Sequence, residues 1–225
     1  MKMTTTLELL HKAEACTGRY RHLREALGMD WPQNRDIDLL QVLELNGLQD
    51  ALWALKAVKQ DIQREARLMA ADFTESVLPQ WLVQYPEDTR VAKCIEGVRA
   101  YANGNITWQK LRVLRDAADD AANDAYAVYV AAEAAVYVAA ADDAYAVYTA
   151  AADDAYAAYA AAEAAAAAAA DVAVDAVYAA ADKAADAAAT AKAAAAATAY
   201  AAAAVAAKAA TLTERTRIFV SHLQD

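Results

Sequence analysis

The sequence predicts an all-α protein, with an N-terminal bundle of short amphipathic helices followed by long alanine-rich helices packed as an antiparallel hairpin or bundle. All five Gly and all three Pro fall within the first 104 of the 225 residues. The second half therefore lacks the turn residues that a β-sandwich, a Rossmann domain or a TIM barrel needs at short intervals. Alanine, the best helix former, dominates that half. The 59% hydrophobic content excludes ordinary disorder, which is poor in apolar residues.

Caps and apolar spacing define the first elements of the bundle. The Thr-Thr-Leu-Glu run at 5–8 fits a capping box that opens a helix extending to about Leu27. After a loop, Asp36 is placed to cap a second helix, which Asn46-Gly47 ends. The segment 48–58 follows, with leucines on one helical face.

The same signals continue to the end of the bundle. Asp61 is placed to cap a longer helix with an apolar stripe, which Pro79 ends or kinks. The Tyr-Pro-Glu-Asp run at 85–88 predicts a turn and a cap. A further apolar stripe follows and closes at Asn103-Gly104.

An N-cap at Thr107 predicts the start of the alanine-rich region, so the sequence divides into 1–106 and 107–225. A tyrosine-containing eleven-residue unit begins at Asn123 and recurs in this region. Eleven residues make nearly three turns, so the repeat produces an almost straight stripe along a helix. The region forms either one helix of about 155 Å or a hairpin that turns within 164–175. A second capping box at 211–214 predicts a short last helix that packs back through Ile218, Phe219 and Leu223.

Negative charge is concentrated in the alanine-rich region. Residues 116–210 contain 14 acidic residues and three lysines, while the whole chain carries −10. The remaining residues are therefore close to neutral. Direct nucleic-acid binding needs a basic face and is not expected. A basic protein, or a small anion held by the N-terminal half, is the better match to this distribution.

No residue pattern indicates catalysis, a metal site or a cofactor. The three histidines are scattered, and neither a Walker A sequence nor a Gly-x-Gly-x-x-Gly run is present. Two cysteines make neither a disulfide framework nor a zinc quartet. The N-terminus lacks an apolar signal region, and no run reaches the ~20 strongly apolar residues of a membrane span. We expect a cytoplasmic protein that is not an enzyme and binds no membrane.

Two groups of residues are candidates for binding a ligand or partner. The tyrosine stripe either packs between helices or presents a stacking or protein-binding surface, and its members are Tyr126, Tyr129, Glu133, Tyr137, Tyr145, Tyr148, Tyr156 and Tyr159. Arginines of the bundle either form surface ion pairs or grip an anionic ligand in a pocket. With the neighbouring tryptophan, this second group contains Trp53, Arg64, Arg67, Arg90 and Arg99.

Several runs of the sequence resemble the Imm-5-like group of bacterial and phage immunity proteins. The matching runs are Leu-Gln-Asp-Ala-Leu-Trp-Ala-Leu-Lys at 48–56, Tyr-Pro-Glu-Asp-Thr-Arg at 85–90 and Tyr-Ala-Asn-Gly-Asn-Ile-Thr at 101–107. An alanine-rich helix punctuated by aromatic residues follows in that group, as it does here. The resemblance covers roughly 36–163. Val91 replaces a proline that is common in the group, and the tail is unusually rich in Tyr and Asp.

The resemblance implies an all-α protein that neutralises a partner by binding, in a toxin–immunity locus or in phage counter-defence. In one mechanism, the acidic, tyrosine-rich helices block a basic effector or toxin protein. In the alternative, the arginine and tyrosine residues form a pocket that sequesters a small nucleotide signal. A structural or ice-binding helix is a third alternative. Alanine-rich helices with a tyrosine stripe often need a mate, so a homo-oligomer is also expected.

Overall fold

Helices account for most of the residues that the computed structural model describes, which confirms the all-α class. The structure describes residues 2–138, 145–169, 173–196 and 203–224, except for the side chains at 132–138, 145–154, 173, 193–196 and 203–212. Two compact units can be distinguished, Met1–Gln63 with Thr216–Asp225, and Arg64–Arg215. The domain boundary predicted between residues 106 and 107 rests on the N-cap at Thr107 and the alanine-rich sequence that follows, and it stays a prediction.

The first unit combines one pair of very short antiparallel strands with short helices. The strands are β1 (Thr4–Thr5) and β2 (Ile37–Asp38), and the helices are α1 (Leu7–Lys12), α2 (Thr17–Leu27), α3 (Leu39–Asn46) and α4 (Leu48–Ala54), followed by a 3-10 turn at Leu55–Ala57. Apolar side chains from these elements form the core of this unit. Among those at most 6% exposed are Met3, Leu7, Leu10, Leu23, Ile37, Leu39, Val42, Leu48, Leu52 and Leu55.

The prediction of a single helix reaching Leu27 is wrong, because the helix is interrupted between α1 and α2. Glu14 has a φ of 62°, in the left-handed region that ends a helix. The helix begins one residue later than the capping box predicts. Thr5 lies in β1 and donates its hydroxyl hydrogen bond to the carbonyl of Ala57 over 2.6 Å, while Thr6 caps α1 by accepting from the backbone N–H of Leu9.

The cap of α3 also differs from the prediction. Asp38 accepts a hydrogen bond from the backbone N–H of Leu40, and Asp36 instead pairs with Lys59. Residues 37 and 38 form β2, so the helix cannot begin until the strand ends. The predicted end at Asn46-Gly47 is confirmed, because Gly47 has a φ of 85°.

The second unit contains the remaining helices up to Arg215. These are α5 (Gln63–Glu75), α6 (Leu78–Gln84), α7 (Arg90–Ala102), α8 (Trp108–Val138), α9 (Tyr145–Ala168), α10 (Ala173–Ala196) and the first part of α11 (Ala203–Gln224). Pro79 ends the apolar stripe as predicted, because it lies in the first turn of α6, where its missing N–H costs nothing. The N-cap position of α7 is Thr89, one residue after the predicted cap, while Asp88 accepts a hydrogen bond from the backbone N–H of Arg90.

The alanine-rich region folds back on itself and does not form one long rod. Tyr126 contacts Tyr159 and Tyr129 contacts Tyr156, so α8 and α9 run antiparallel. Glu163 of α9 pairs with Lys183 of α10. Helix α9 ends at Ala168 and α10 begins at Ala173, so both ends lie within the predicted turn region 164–175. The interior between them is mostly alanine, and small side chains let helix axes approach closely.

The end of the chain differs from the prediction in one respect. The capping box at 211–214 does not start a helix, because α11 runs through it from Ala203 to Gln224. Alanine before the box has a high enough helix propensity to carry the helix across it. Ile218, Phe219 and Leu223 are at most 5% exposed, which confirms that they are buried.

Candidate functional site

Four of the seven candidate tyrosines lie together where α8 packs against α9, and we call them the tyrosine quartet. Ring centroids are 5.9 Å apart for Tyr126 and Tyr129, 5.3 Å for Tyr126 and Tyr159, 5.3 Å for Tyr129 and Tyr156, and 5.7 Å for Tyr156 and Tyr159. Each ring thus contacts two others. Within the quartet, the planes of contacting rings are inclined to each other by 40° to 66°. Such tilted arrangements are favoured by the quadrupoles of aromatic rings.

The spacing of the sequence explains the quartet. Within each helix, two tyrosines three residues apart lie on the same face. The antiparallel packing of α8 on α9 then brings the two pairs together. Tyr126 is 47% exposed, and Val130, one turn further along the same face, is 45% exposed. The quartet is therefore partly a helix–helix contact and partly an accessible apolar surface.

A polar network extends the quartet towards α10. The hydroxyl of Tyr159 donates a hydrogen bond to the carboxylate of Glu163, four residues along α9. Glu163 Oε2 lies 2.6 Å from Lys183 Nζ. Burial, followed by the hydrogen bond to Glu163, raises the pKa of Tyr159, so its hydroxyl stays protonated. The hydrogen bond to Glu163 raises the pKa of Lys183 and keeps the ammonium charged.

Carboxylates crowd the same edge of α8, two turns before Tyr126. Asp119 is exposed, and burial of part of its carboxyl raises its pKa. The charges of Asp116, Asp120 and Glu163 raise it further, whereas Arg115 lowers it. Asp119 has no ion-pair partner within 4 Å among the residues with described side chains. The local charge is therefore negative, and a cation arriving from outside would relieve the repulsion.

Arg90 connects the start of α7 to α8. Its Nε and Nη2 atoms both contact Asp88, at distances of 2.6 to 3.1 Å, and Nη2 also donates to Asp124 over 2.8 Å. The hydrogen bond from Arg90 holds the pKa of Asp88 below its ordinary value. Burial and the charges of Asp124 and Asp88 raise the pKa of Tyr85 beside them. The guanidinium of Arg90 is thus already gripped by carboxylates.

The other three candidate arginines lie along α5 and α7. Arg99 forms a two-pronged contact with Glu75 at 3.1 and 2.6 Å and also donates to Asp72. Arg64 donates twice to the side-chain oxygen of Asn103. Arg67 is only 6% exposed and lies 4.8 Å from the ring centroid of Tyr101. These side chains stabilise the α5–α7 contact, and they leave little free positive charge on the surface.

The predicted site residues are divided between the two units. Trp53 is half-buried in α4, within the first unit, whereas the arginines and the quartet belong to the second. The side chains of the remaining candidates lie outside the described residues: Glu133, Tyr137, Tyr145 and Tyr148. The same holds for the aspartate pairs at 142–143 and 153–154.

Three residues around the quartet were not among the predicted site residues. The sequence does place Glu163 on the tyrosine stripe, because it follows Tyr159 by four residues and so shares its helical face. Lys183 gave a weaker signal, as one of only three lysines in 116–210. Asp119 gave no local signal, because its surroundings depend on where α9 packs.

Within residues 2–138, 145–169, 173–196 and 203–224, no three His, Cys, Asp or Glu side chains are grouped so that they could hold a metal ion. Over the same residues, no helix combines the length and the apolar character that crossing a membrane requires.

One comparison with known proteins identifies a relationship. The sequence model of the family described as "Imm-5 like putative immunity protein" matches residues 56–151. This confirms the resemblance noted in the sequence, over a narrower span, and the matched span runs from the end of the first unit through α8 into α9. No curated protein and no solved structure shows significant similarity to this chain.

Proposed function

From the match of residues 56–151 to the Imm-5-like immunity family, we propose that this protein neutralises an effector protein by stoichiometric binding. The family match is the observation that carries the proposal. Binding alone is sufficient for this role, so the protein needs no catalytic group. We further propose that the effector presents a basic surface and is blocked by the acidic helices α8 to α10.

The charge and chemistry of the alanine-rich helices support a basic protein partner. Residues 116–210 hold 14 acidic residues against three lysines. Such a surface accelerates encounter with a positively charged protein and disfavours acidic partners. Tyr126 of the tyrosine quartet adds an exposed aromatic side chain, and tyrosine is among the residues that carry most binding energy at protein interfaces.

The nucleotide-binding alternative has less support from the geometry. An anion pocket needs guanidinium groups that are free to face the ligand. Arg90 and Arg99 instead form two-pronged contacts with carboxylates, and Arg64 is hydrogen-bonded to Asn103. A phosphate would have to displace these partners before it could bind.

Co-expression tests the proposal. Each neighbouring reading frame whose product is toxic when expressed alone would be expressed together with this protein, and growth would be scored. We expect one toxic product to be neutralised. Native mass spectrometry of the purified pair should show a complex of defined stoichiometry that dissociates as salt concentration rises.

Two results would overturn the proposal. One is rescue in which the toxic protein carries a covalent change of mass, because that would indicate catalysis. The other is a native spectrum without a protein complex, above all one in which this protein carries a small molecule. The same spectra report the number of copies of this chain, and so test the expected homo-oligomer.

A further inference from the structure

The edge where α8 meets α9 combines two features that suit one kind of partner. We call this edge the α8–α9 seam and define it by Asp119, Tyr126, Tyr159 and Glu163. Asp119 and Tyr126 are seven residues apart, which is within about 20° of the same helical direction. Both are exposed, and the two residues of α9 lie opposite them.

Within the described residues, neither Tyr126 nor Asp119 is fully satisfied by its neighbours: the tyrosine is partly uncovered and the carboxylate has no ion-pair partner. The ring of Tyr126 is packed on one side by Tyr129 and Tyr159, yet 47% of the residue remains exposed. Asp119 is exposed, and the charges of Asp116, Asp120 and Glu163 act on its carboxylate, opposed by the charge of Arg115. An exposed aromatic ring attracts cations through its negative face, and a crowded carboxylate attracts them through its charge.

We propose that the α8–α9 seam binds a basic segment of the partner protein, with one arginine or lysine against the ring of Tyr126 and a second at Asp119. This inference rests on the proposed function and specifies its contact surface. A second copy of this chain is a poor occupant, because it would bring the carboxylates of Asp119 and Glu163 close to those of an equally acidic surface.

The distance along the seam predicts the spacing of the basic residues. Seven residues of helix separate Asp119 from Tyr126, which corresponds to about 10.5 Å. A peptide in the polyproline II conformation makes one turn in three residues and advances roughly 9.3 Å, so side chains three positions apart point the same way over a similar distance. The matching segment therefore has basic residues at positions i and i+3 in the polyproline II conformation, or at i and i+7 when helical.

A labelled peptide tests this inference on the full chain. The probe is a fluorescein-labelled peptide with arginine at every third position and serine or glycine between, measured by fluorescence anisotropy at about 150 mM salt, where long-range attraction is screened. We expect saturable binding that Tyr126→Ala weakens about fivefold to tenfold. Asp119→Asn should weaken binding about threefold. Tyr126→Phe should retain most of the affinity, because it keeps the ring.

Matched controls separate the seam from general negative charge. Asp120→Asn removes the same charge one residue further along α8, from a side chain that points about 100° away. Val128→Ala removes a side chain of a residue that is 50% exposed, close to the value for Tyr126, on another face of the helix. Both controls should bind the peptide with an affinity within about twofold of wild type.

The seam assignment would be overturned if Tyr126→Ala and Asp119→Asn bound like wild type, if all four variants weakened binding alike, or if no peptide bound. Any of these results would leave the proposed function standing wherever the native mass spectrum still shows the effector complex. Asp119→Asn should retain the fold, because partial burial, together with the neighbouring carboxylates, already raises the pKa of Asp119 and so disfavours its charged form. Thermal unfolding of Tyr126→Ala would confirm that its fold is retained.

Discussion

The second unit contains two kinds of helix packing, which differ in the size and variety of the buried side chains. Around α5, α6 and α7 the buried residues are large and varied, and they include Met69, Phe73, Trp81 and Ile95. Between α9 and α10 the buried residues are nearly all alanine. Large side chains of different shape fit together in one arrangement, whereas alanine surfaces look the same after a shift along the helix.

The comparison explains why a few larger residues stand out among the alanines. In α9 and α10 they include Tyr156, Tyr159, Glu163 and Lys183, which make contacts that a shifted alignment would break. A single polar contact is known to fix register in coiled coils, where the apolar residues alone leave it open. By the same principle, we expect the quartet to fix the alignment of α8 with α9, and the Glu163–Lys183 pair to fix that of α9 with α10.

The largest change in the free energy of unfolding is expected from a substitution in the core around α5, α6 and α7, where the buried side chains are large and varied. Trp81 is fully buried, lies 4.4 Å from the ring of Tyr85 and donates its indole N–H to the carbonyl of Asp88. Trp81→Ala should lower the free energy of unfolding by about 3–5 kcal/mol, measured by urea denaturation. The matched control is Leu82→Ala, the next residue, which is 40% exposed. Similar losses in both variants would contradict a tightly packed core at Trp81.

A smaller effect is expected where the alanine interface is overfilled. Ala180 of α10 is fully buried, so Ala180→Leu must push the helices apart. We expect a loss of about 1–3 kcal/mol in the free energy of unfolding. Ala189→Leu, at an exposed position of the same helix, should change stability by less than about 0.5 kcal/mol. An unchanged Ala180→Leu variant would show that the α9–α10 packing is loose.

The fold class was predictable from the sequence because helix signals are local. The distribution of Gly and Pro, the cap at Gly47 and the hydrogen bond of Asp88 to the N–H of Arg90 act over a few residues. The breaks that the sequence did not predict depend on distant partners. Thr5 belongs to a strand because β2 lies beside it, and its hydroxyl bonds to Ala57, 52 residues away.

The candidate site was predictable only in part, for the same reason. The tyrosine spacing placed Tyr126 and Tyr129 on one face, but their contact with Tyr156 and Tyr159 depends on how α9 packs against α8. The arginines were identified as residues, but their carboxylate partners come from other helices or from loops. The crowding at Asp119 likewise arises only once α9 is in place.

The smallest effect is expected from the polar contact between α9 and α10. Lys183→Gln removes the ion pair with Glu163, whose partners are 37% and 28% exposed at the side chain, so solvent limits its strength. We expect a loss of about 0.5–1 kcal/mol in the free energy of unfolding at pH 7. Lys192→Gln removes the same charge from the same helix and should cost less. Equal losses in the two variants would contradict a specific role for Lys183.

The pH dependence of stability tests the same contact, because the pKa shift of Lys183 determines whether the free energy of unfolding rises or falls with pH. The fold raises the pKa of Lys183 above its ordinary value of 10.5, so the stabilisation is complete below that value and is lost as pH rises through the raised pKa. Tyr159, whose pKa is also raised, acts in the same direction. Urea denaturation above about pH 10 should therefore show a steeper alkaline loss in wild type than in Lys183→Gln. Parallel curves for the two proteins would mean that the alanine surfaces hold their register without this contact.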